Sequence, residues 1–486
     1  MPVIKTTLKE FAENTSAHGV NKLVTSKGWF IKLIWLVLFL GASSMIVYQV
    51  SRLVVNYLRR PATAKTTVVN KPLLFPSVTI CNLNPVRYSK VKTDPALIEL
   101  VGNLAKKMNM SLDAFPYDGT NEPPDPTYPE PANTTVEQIL EEYSADFLMQ
   151  LNAAGEKIVK SYSQKLESLL VSCSFAGKPC SADDFTTISN FDYGICYQFP
   201  NATNFPNGVL FHNAGPLFGF RLVLNIDQNE YIPFLTPGAG IRVRIHEINS
   251  SANLLEQGHS IPAGFETSIG VRPVVTVNLP APFGTCDETN AFSDILGCQR
   301  DCLESAITRK CQCSRLISWE LAFEANGEDS GSQSNQPCEK QHIGCIKEVI
   351  KRNQEGIIVC GCIHPCRKHT YEMKTSMTRY PSTHYDPALR YTLSQWIDQG
   401  KIYSVEESRK NILSLKVYFS DLEEKTIEEE EAYPFENLLS DIGGQLGLWL
   451  GISVFSVCEV VELLYLIIHN SLRGKKTQVL AFSSPE

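Results

Sequence analysis

The stretch Ile442–Ile468, IGGQLGLWLGISVFSVCEVVELLYLII, decides how the rest of the chain is read. It is long enough to cross the hydrocarbon of a bilayer as a helix, but its composition is unusual for one. Gly443, Gly444, Gly447 and Gly451 occupy its first half, and Glu459 and Glu462 its second. A carboxylate inside a membrane helix is costly, so it is tolerated chiefly beside water or a partner. Glu459 and Glu462 stand one helical turn apart and share a face. The alternative is a helix end, with both acids reaching toward headgroups. Gly451-Ile452-Ser453 places two small residues around an apolar one. Small residues let helices approach closely, as in a glycine-rich dimer seam. They also let the backbone break and present carbonyls, which only a protein-lined cavity tolerates. Carbonyl and hydroxyl oxygens beside a ring of acids form a cation pathway. Asp441 lies at the outer end of the segment, where symmetry would make a second acidic ring.

Working outward, a second apolar run, Leu33–Val50 (LIWLVLFLGASSMIVYQV), carries no charge and is flanked by Trp29, Lys32 and Arg52. It too has the length of a membrane helix. A cleaved signal peptide is the competing reading; the late start and lack of a small-residue cleavage site speak against it. Lys5, Lys9, Lys22 and Lys27 precede the first run, and Arg473, Lys475 and Lys476 follow the second. Both basic tails therefore belong in the cytoplasm. The expected order is a cytoplasmic tail (1–28), a first transmembrane helix (29–55), an extracellular domain (56–440), a second transmembrane helix with the pore (441–469) and a cytoplasmic tail (470–486).

Cysteine usage supports that topology. The 486 residues include 15 cysteines, none before Cys81, with ten between Cys286 and Cys366. Fourteen fall in the outside segment and can pair completely, leaving Cys458 in the second span. Sequons at Asn109, Asn133, Asn201 and Asn249 fall there as well, whereas one at Asn14 would be cytosolic and unused. With 43% hydrophobic and 20% charged residues the chain is neither disordered nor collagen-like. A net charge of −8 argues against a general nucleic-acid binder.

The outside segment reads as mixed helix and strand. FPSVTICNLNPVR (Phe75–Arg87) is a short β-rich run closed by Asn-Pro turn chemistry. Residues 94–170 are helical and polar, interrupted by an exposed loop at Tyr117–Pro131. LFGFRLVLNI, AGIRVRIHEI and VRPVVTVNLP are strands, and Asp301–Arg309 and Lys347–Arg352 short helices. Asn411–Asp421 (NILSLKVYFSD) is a returning strand feeding the second span, and Glu428–Glu431 a solvated strand end or turn rather than a cation site. Cys298, Cys302, Cys311, Cys313, Cys360, Cys362 and Cys366, with His364 and His369 nearby, invite a zinc reading. Paired CxxC knuckles and a reducing location are both lacking, so disulfides are expected, in an order that spacing alone leaves open. No nucleophile elbow, phosphate loop or metal signature points to an enzyme.

FPSVTICNLNPVR, the pattern from Cys286 to Cys366, and DIGGQLGLWLGIS, in that order, resemble the degenerin/epithelial sodium channel family over roughly residues 17–470. His18-Gly19, FGFRLVLNIDQNEYIP and PAGFET (Pro262–Thr267) are similar to further family segments. The resemblance implies an α+β trimer. Two transmembrane helices would flank a large disulfide-rich mixed α/β ectodomain of palm, finger (88–185) and thumb (286–368) type. It implies a selectivity filter at Gly451, Ile452 and Ser453, pore acids at Asp441, Glu459 and Glu462, the degenerin position at Ser440, and a gating motif at His18 and Gly19. It implies the disulfides Cys81–Cys196, Cys173–Cys180, Cys286–Cys366, Cys298–Cys362, Cys302–Cys360, Cys311–Cys345 and Cys313–Cys338. It also implies coupling at the wrist between Phe283 and Tyr57, with palm strands near Tyr418 and Tyr433 acting on the second span.

The chain departs from that pattern in places. Acid-sensing relatives carry a histidine pair where it reads Arg59-Arg60-Pro61, and arginine does not titrate near neutrality. LAFEANGEDSGSQSNQPC is polar and short of the paired acids of an acidic pocket, and a proline-tyrosine motif is not seen. ENTSAHGVNKLVTSKGWF most resembles the cnidarian RFamide peptide-gated sodium channels. The expectation is a ligand-gated, amiloride-sensitive sodium or cation channel subunit in the plasma membrane, both termini cytoplasmic, opened by an extracellular neuropeptide. It would form a homo- or heterotrimer with related subunits, need no cofactor, pass Na+ and meet Ca2+ at the pore mouth. The alternatives are an acid- or bile-acid-sensitive or constitutive channel of the same family, and a non-conducting disulfide-rich receptor.

Overall fold

The computed structural model describes residues 2–108, 112, 136–206, 208–248, 250, 252–289, 295–315, 338–394 and 404–480. The chain forms two compact units. A helical unit comprises Met1–Lys65, Ala281–Gly284 and Glu429–Glu486, and a sheet unit Thr66–Pro280 and Thr285–Glu428.

The larger sheet is built around Phe265–Val277 (FETSIGVRPVVTV), whose β-branched residues fit a strand paired on both sides. This strand runs antiparallel to Arg367–Arg379 along its full length, and parallel to Ile412–Phe419 and then to Glu423–Glu431. Phe220–Asn225, Leu170–Phe175 and Lys178–Pro179 extend the sheet beyond Ile412–Phe419, and Ala62–Asn70 lies beyond Glu423–Glu431. A second sheet has the order His259–Pro262, Gly240–His246, Ser77–Asn82, Gly194–Phe199, Thr186–Asn190. Its middle strand, Ser77–Asn82 (SVTICN), is buried at every residue, in keeping with its apolar and β-branched composition.

Both sheets contribute to one core. Phe75, Phe175, Phe199, Phe211, Phe220 and Phe419 converge in it, with Val78, Ile80, Val243, Ile269, Leu415 and Val417 around them. Phe199 and Phe220 stack with ring centroids 4.1 Å apart, and Phe75 meets Phe175 edge-on at 5.0 Å. The short strand runs seen in the sequence therefore unite through phenylalanines brought from distant segments.

The helices pack separately. In Pro95–Lys107, Asp94 accepts hydrogen bonds from Ala96 N and Leu97 N while Pro95 takes the first position, where its missing N–H costs nothing. Val101 of this helix and Phe147 and Leu151 of Val136–Ala153 share a small core. The two helices of the cysteine-rich region run Ile295–Cys311 and Ile343–Gln354, longer than the expected short pieces. Ile307, Ile346 and Val349 form their common core with Cys311, Cys313 and Cys338. Ile343–Gln354 turns Ile343, Ile346, Val349 and Ile350 to that core, whereas Ile295–Cys311 has little apolar periodicity and is held largely by its disulfides.

Seven disulfides join Cys81–Cys196, Cys173–Cys180, Cys286–Cys366, Cys298–Cys362, Cys302–Cys360, Cys311–Cys345 and Cys313–Cys338. The last five nest inside one another. Each longer loop closed in this way removes about 3–5 kcal/mol of unfolded-state freedom in the chain-entropy picture. The expected loop Tyr117–Pro131, the sequons Asn109, Asn133 and Asn249, and most of LAFEANGEDSGSQSNQPC lie outside the described residues. At the remaining sequon of the expected extracellular segment, Asn201 donates through Nδ2 to Asp183 O at 3.1 Å and accepts from Thr203 N at 2.9 Å.

One expectation is corrected by the topology. The returning strand, Ile412–Phe419, does not lead straight into the second apolar segment, because Glu423–Glu431 forms a further strand first. Its acidity conceals it from strand propensity. Ion pairs make it tolerable: Lys71 meets Glu424 at 2.7 Å, Lys65 meets Glu430 at 2.9 Å, and the strand's own Lys425 meets Glu372 of the neighbouring strand at 3.0 Å. Arg272 reaches Asp421 and, at 3.1 Å, Glu423.

Two outcomes are expected. Phe220→Ala leaves a void against the stacked Phe199 and should destabilise the sheet unit by about 3–5 kcal/mol, read as a fall in the unfolding temperature of purified protein. Hydrogen bonding to Arg272 holds the Asp421 carboxyl below its ordinary value of 3.8. The ionised form is therefore favoured by folding, and its contribution is present above that value and lost as pH falls through the lowered one. Arg272→Gln should lower the unfolding temperature at neutral pH, with a deficit that narrows below pH 3.8; an equal deficit at every pH would contradict the ion pair.

Candidate ion pathway

The helical unit contains the two apolar segments. The first forms one helix, Trp29–Leu58, long and apolar enough to cross a membrane. Arg59 caps it, and Arg60 turns into the left-handed region (φ 49°) before Pro61. The second segment is not the single helix its length suggests. It consists of an upstream half, Phe435–Leu450, and a downstream half, Val454–Leu480, bent by 79° at Gly451-Ile452-Ser453. Of the readings open for these small residues, this structure contains the broken backbone.

The break is built locally. Gly451 adopts φ 64° and ψ 19°, a left-handed cap that glycine takes without steric cost. Gly451 N and Ile452 N donate back to Gly447 O and Leu446 O at 3.0 and 3.3 Å. On the other side, Ser456 Oγ accepts from Ser453 N at 3.1 Å, half of a capping box at the start of the downstream half.

Residues 15–18 complete it from a distant part of the chain. His18 N donates to Leu450 O at 2.7 Å, satisfying a carbonyl the helix end would leave free. Ser16 Oγ lies 2.6 Å from Ser456 Oγ, and both Thr15 Oγ1 and Ser16 N donate to Glu459 Oε2, at 2.9 and 3.0 Å. The His18 ring lies so close to Gly451 that a Cβ there would stand 2.3 Å from Nδ1. Gly19 (φ 88°) then opens the short helix Val20–Thr25. A cavity of about 250 Å³ remains beside the break, with Phe11, Ala17, Val20, Ile452, Val457 and Val460 in its walls.

The structure thus brings His18, Gly19, Gly451, Ile452, Ser453 and Glu459 together. Glu462 is exposed, without the hydrogen-bonded setting of Glu459. Asp441 lies inside the upstream half rather than at its start, because that helix begins at Phe435, and Tyr433 Oη donates to it at 2.5 Å. Ser440 beside it is exposed. Trp449 Nε1 donates to Gln49 Oε1 at 2.9 Å, joining the upstream half to the first helix.

The expected pairing of Tyr57 with Phe283 is replaced by two others. Tyr57 packs edge-on against Phe435 at 6.3 Å, and Phe283 lies under the Arg60 guanidinium at 5.5 Å. No ring contact joins Tyr57 to Phe283 among the described residues. The turned backbone at Arg60 places a cation over the phenyl ring, where aromatic–cation attraction substitutes for aromatic stacking. Sequence reasoning missed Thr15, Ser16 and Ser456. The signal was present in Asn14-Thr15-Ser16, read only as an unused sequon, whose hydroxyls are what engage Glu459 and Ser456.

A family model described as "Amiloride-sensitive sodium channel" matches residues 11–463. The chain belongs to this family of trimeric plasma-membrane sodium channels, whose members are channel subunits and not enzymes. Among its relatives is "Degenerin-like protein asic-2" of Caenorhabditis elegans, 28% identical over 94% of this chain and 85% of the relative. "Epithelial sodium channel subunit beta-2" of Xenopus laevis is 26% identical over 93% and 82%. "Acid-sensing ion channel 2" of Mus musculus is 26% identical over 95% and 86%.

Gly451→Ala should strain the left-handed backbone and displace His18 from the break. Current per surface-labelled channel is expected to fall by more than tenfold while surface labelling is kept; an unchanged ratio would show that the break tolerates a side chain.

Proposed function

We propose that this sodium channel subunit is ligand-gated and amiloride-sensitive, opens in response to an extracellular neuropeptide, and passes Na+ through a ring formed at Gly451, Ile452 and Ser453. Three copies, identical or mixed with related subunits, would surround that ring. Carbonyl and hydroxyl oxygens there replace ion hydration, and Glu459 and Glu462 concentrate cations on the inner side. Asp441 acts at the outer mouth, where Ca2+ competes for it. Both termini lie in the cytoplasm, the segment between the two spans lies outside, and its sequons at Asn109, Asn133, Asn201 and Asn249 carry glycans.

The observation that carries the pore reading is the break itself: a left-handed Gly451 in an apolar segment, next to an acid already engaged by Thr15 and Ser16. Irregular backbone at membrane depth is tolerated where it is buried in protein or lines water. The peptide reading is supported by the resemblance of ENTSAHGVNKLVTSKGWF to peptide-gated channels and by Arg59-Arg60 in place of a titrating pair. Opening requires the ligand to favour the open state, and a ligand binding both states equally shifts nothing.

Recording from oocytes while applying RFamide peptides, acid and bile acids in turn tests the gating. Peptide-evoked inward sodium current blocked by amiloride is expected, with Asp441→Asn altering its calcium sensitivity. Current evoked by acid or bile acid alone would replace the peptide reading.

A further inference from the structure

Where the end of strand Gly240–His246 meets the start of strand Arg367–Arg379, the sheet unit encloses a cavity of about 240 Å³. At about 30 Å³ of liquid per water, that is room for roughly eight waters or a small organic molecule. Its walls include Arg244, His246, Glu247, Lys368, His369 and Tyr371. We propose that this cavity binds a small organic carboxylate, held chiefly by Lys368 and Arg244.

His246 is buried, with Nδ1 3.0 Å from Glu247 O and Nε2 2.9 Å from Thr79 Oγ1. A neutral ring satisfies both contacts by donating through Nδ1 and accepting at Nε2, and burial lowers its pKa to about 4. It therefore adds no charge. Arg367 Nε donates to His369 Nε2 at 3.2 Å, so the His369 proton sits on Nδ1, which faces Glu247 Oε1 at 3.7 Å. The single carboxylate of the cavity wall is thus turned to His369.

Two fixed cations line the cavity. The Arg244 guanidinium is positioned by Gln257 Oε1. Lys368 is half-buried and has no ion pair or hydrogen bond from its ammonium among the described residues. Burial keeps the Tyr371 phenol protonated, hence a donor. Two cations and a phenol donor around that volume suit a carboxylate on a short carbon skeleton. Such a ligand would tie Arg244 of one sheet to Lys368 of the other.

The test uses the full-length channel purified in detergent micelles, titrated with succinate at constant ionic strength, with unfolding temperature as the readout. Because a ligand that binds only the folded state stabilises it by mass action, a saturable rise is expected. The rise should vanish in Lys368→Gln and persist in Lys368→Arg. Radiolabelled succinate binding to the unmodified protein gives an independent measure if Lys368→Gln folds poorly. No saturable rise or binding, an equal rise with inorganic phosphate, or a rise unchanged in Lys368→Gln would overturn the proposal. Neither readout uses current, so its failure and that of the channel reading are separate outcomes.

Discussion

Backbone at a helix break must find hydrogen-bond partners, and within a membrane water supplies none. That constraint organises the helical unit. Once Gly451 leaves the helix, Leu450 O needs a donor and Ser453 N an acceptor, and the chain provides them from His18 N and Ser456 Oγ. Serving the break requires residues 15–18 to lie against the downstream half, which in turn gives Glu459 its two donors. The family's His-Gly and Gly-x-Ser segments, far apart in sequence, are therefore parts of one hydrogen-bonded construction. The identities at both places follow from the same geometry: a left-handed turn at Gly451, and no space for a Cβ beside the His18 ring.

The sheet unit solves a different problem. Its strands come from segments separated by hundreds of residues, so contacts of high sequence separation must be worth the cost of closing long loops. The phenylalanine cluster meets this in the centre, and disulfides meet it in the cysteine-rich region, where apolar content is low. Charge pairs along Glu423–Glu431 then allow a strand whose own composition opposes sheet formation.

Much of the architecture was legible in the sequence because it rests on strong local signals. The apolar run at Leu33–Val50 and the β-branched run in Phe265–Val277 each carry their explanation with them. The strand at Glu423–Glu431 was legible only at its solvated end, Glu428–Glu431; its full extent was not, since its strand partners and most of its neutralising cations lie elsewhere in the chain. The helix at Ile295–Cys311 was seen short for a similar reason: disulfides anchor it without leaving apolar periodicity. Of the candidate site, Gly451–Ser453 and Glu459 were visible by composition, whereas Thr15, Ser16 and Ser456 act through hydroxyls that sequence makes ordinary. The exchange of Tyr57–Phe283 for Tyr57–Phe435 and Arg60–Phe283 depends on one backbone turn at Arg60, which spacing does not encode.

All fourteen other cysteines are bonded, and Cys458 stands free and exposed on the downstream half of the broken segment. The natural chain therefore already carries a single free thiol, adjacent in sequence to Glu459 and two residues past Ser456. A fluorophore or spin label attached there would report on movement of that half without any engineered background, one probe for each subunit in the assembly.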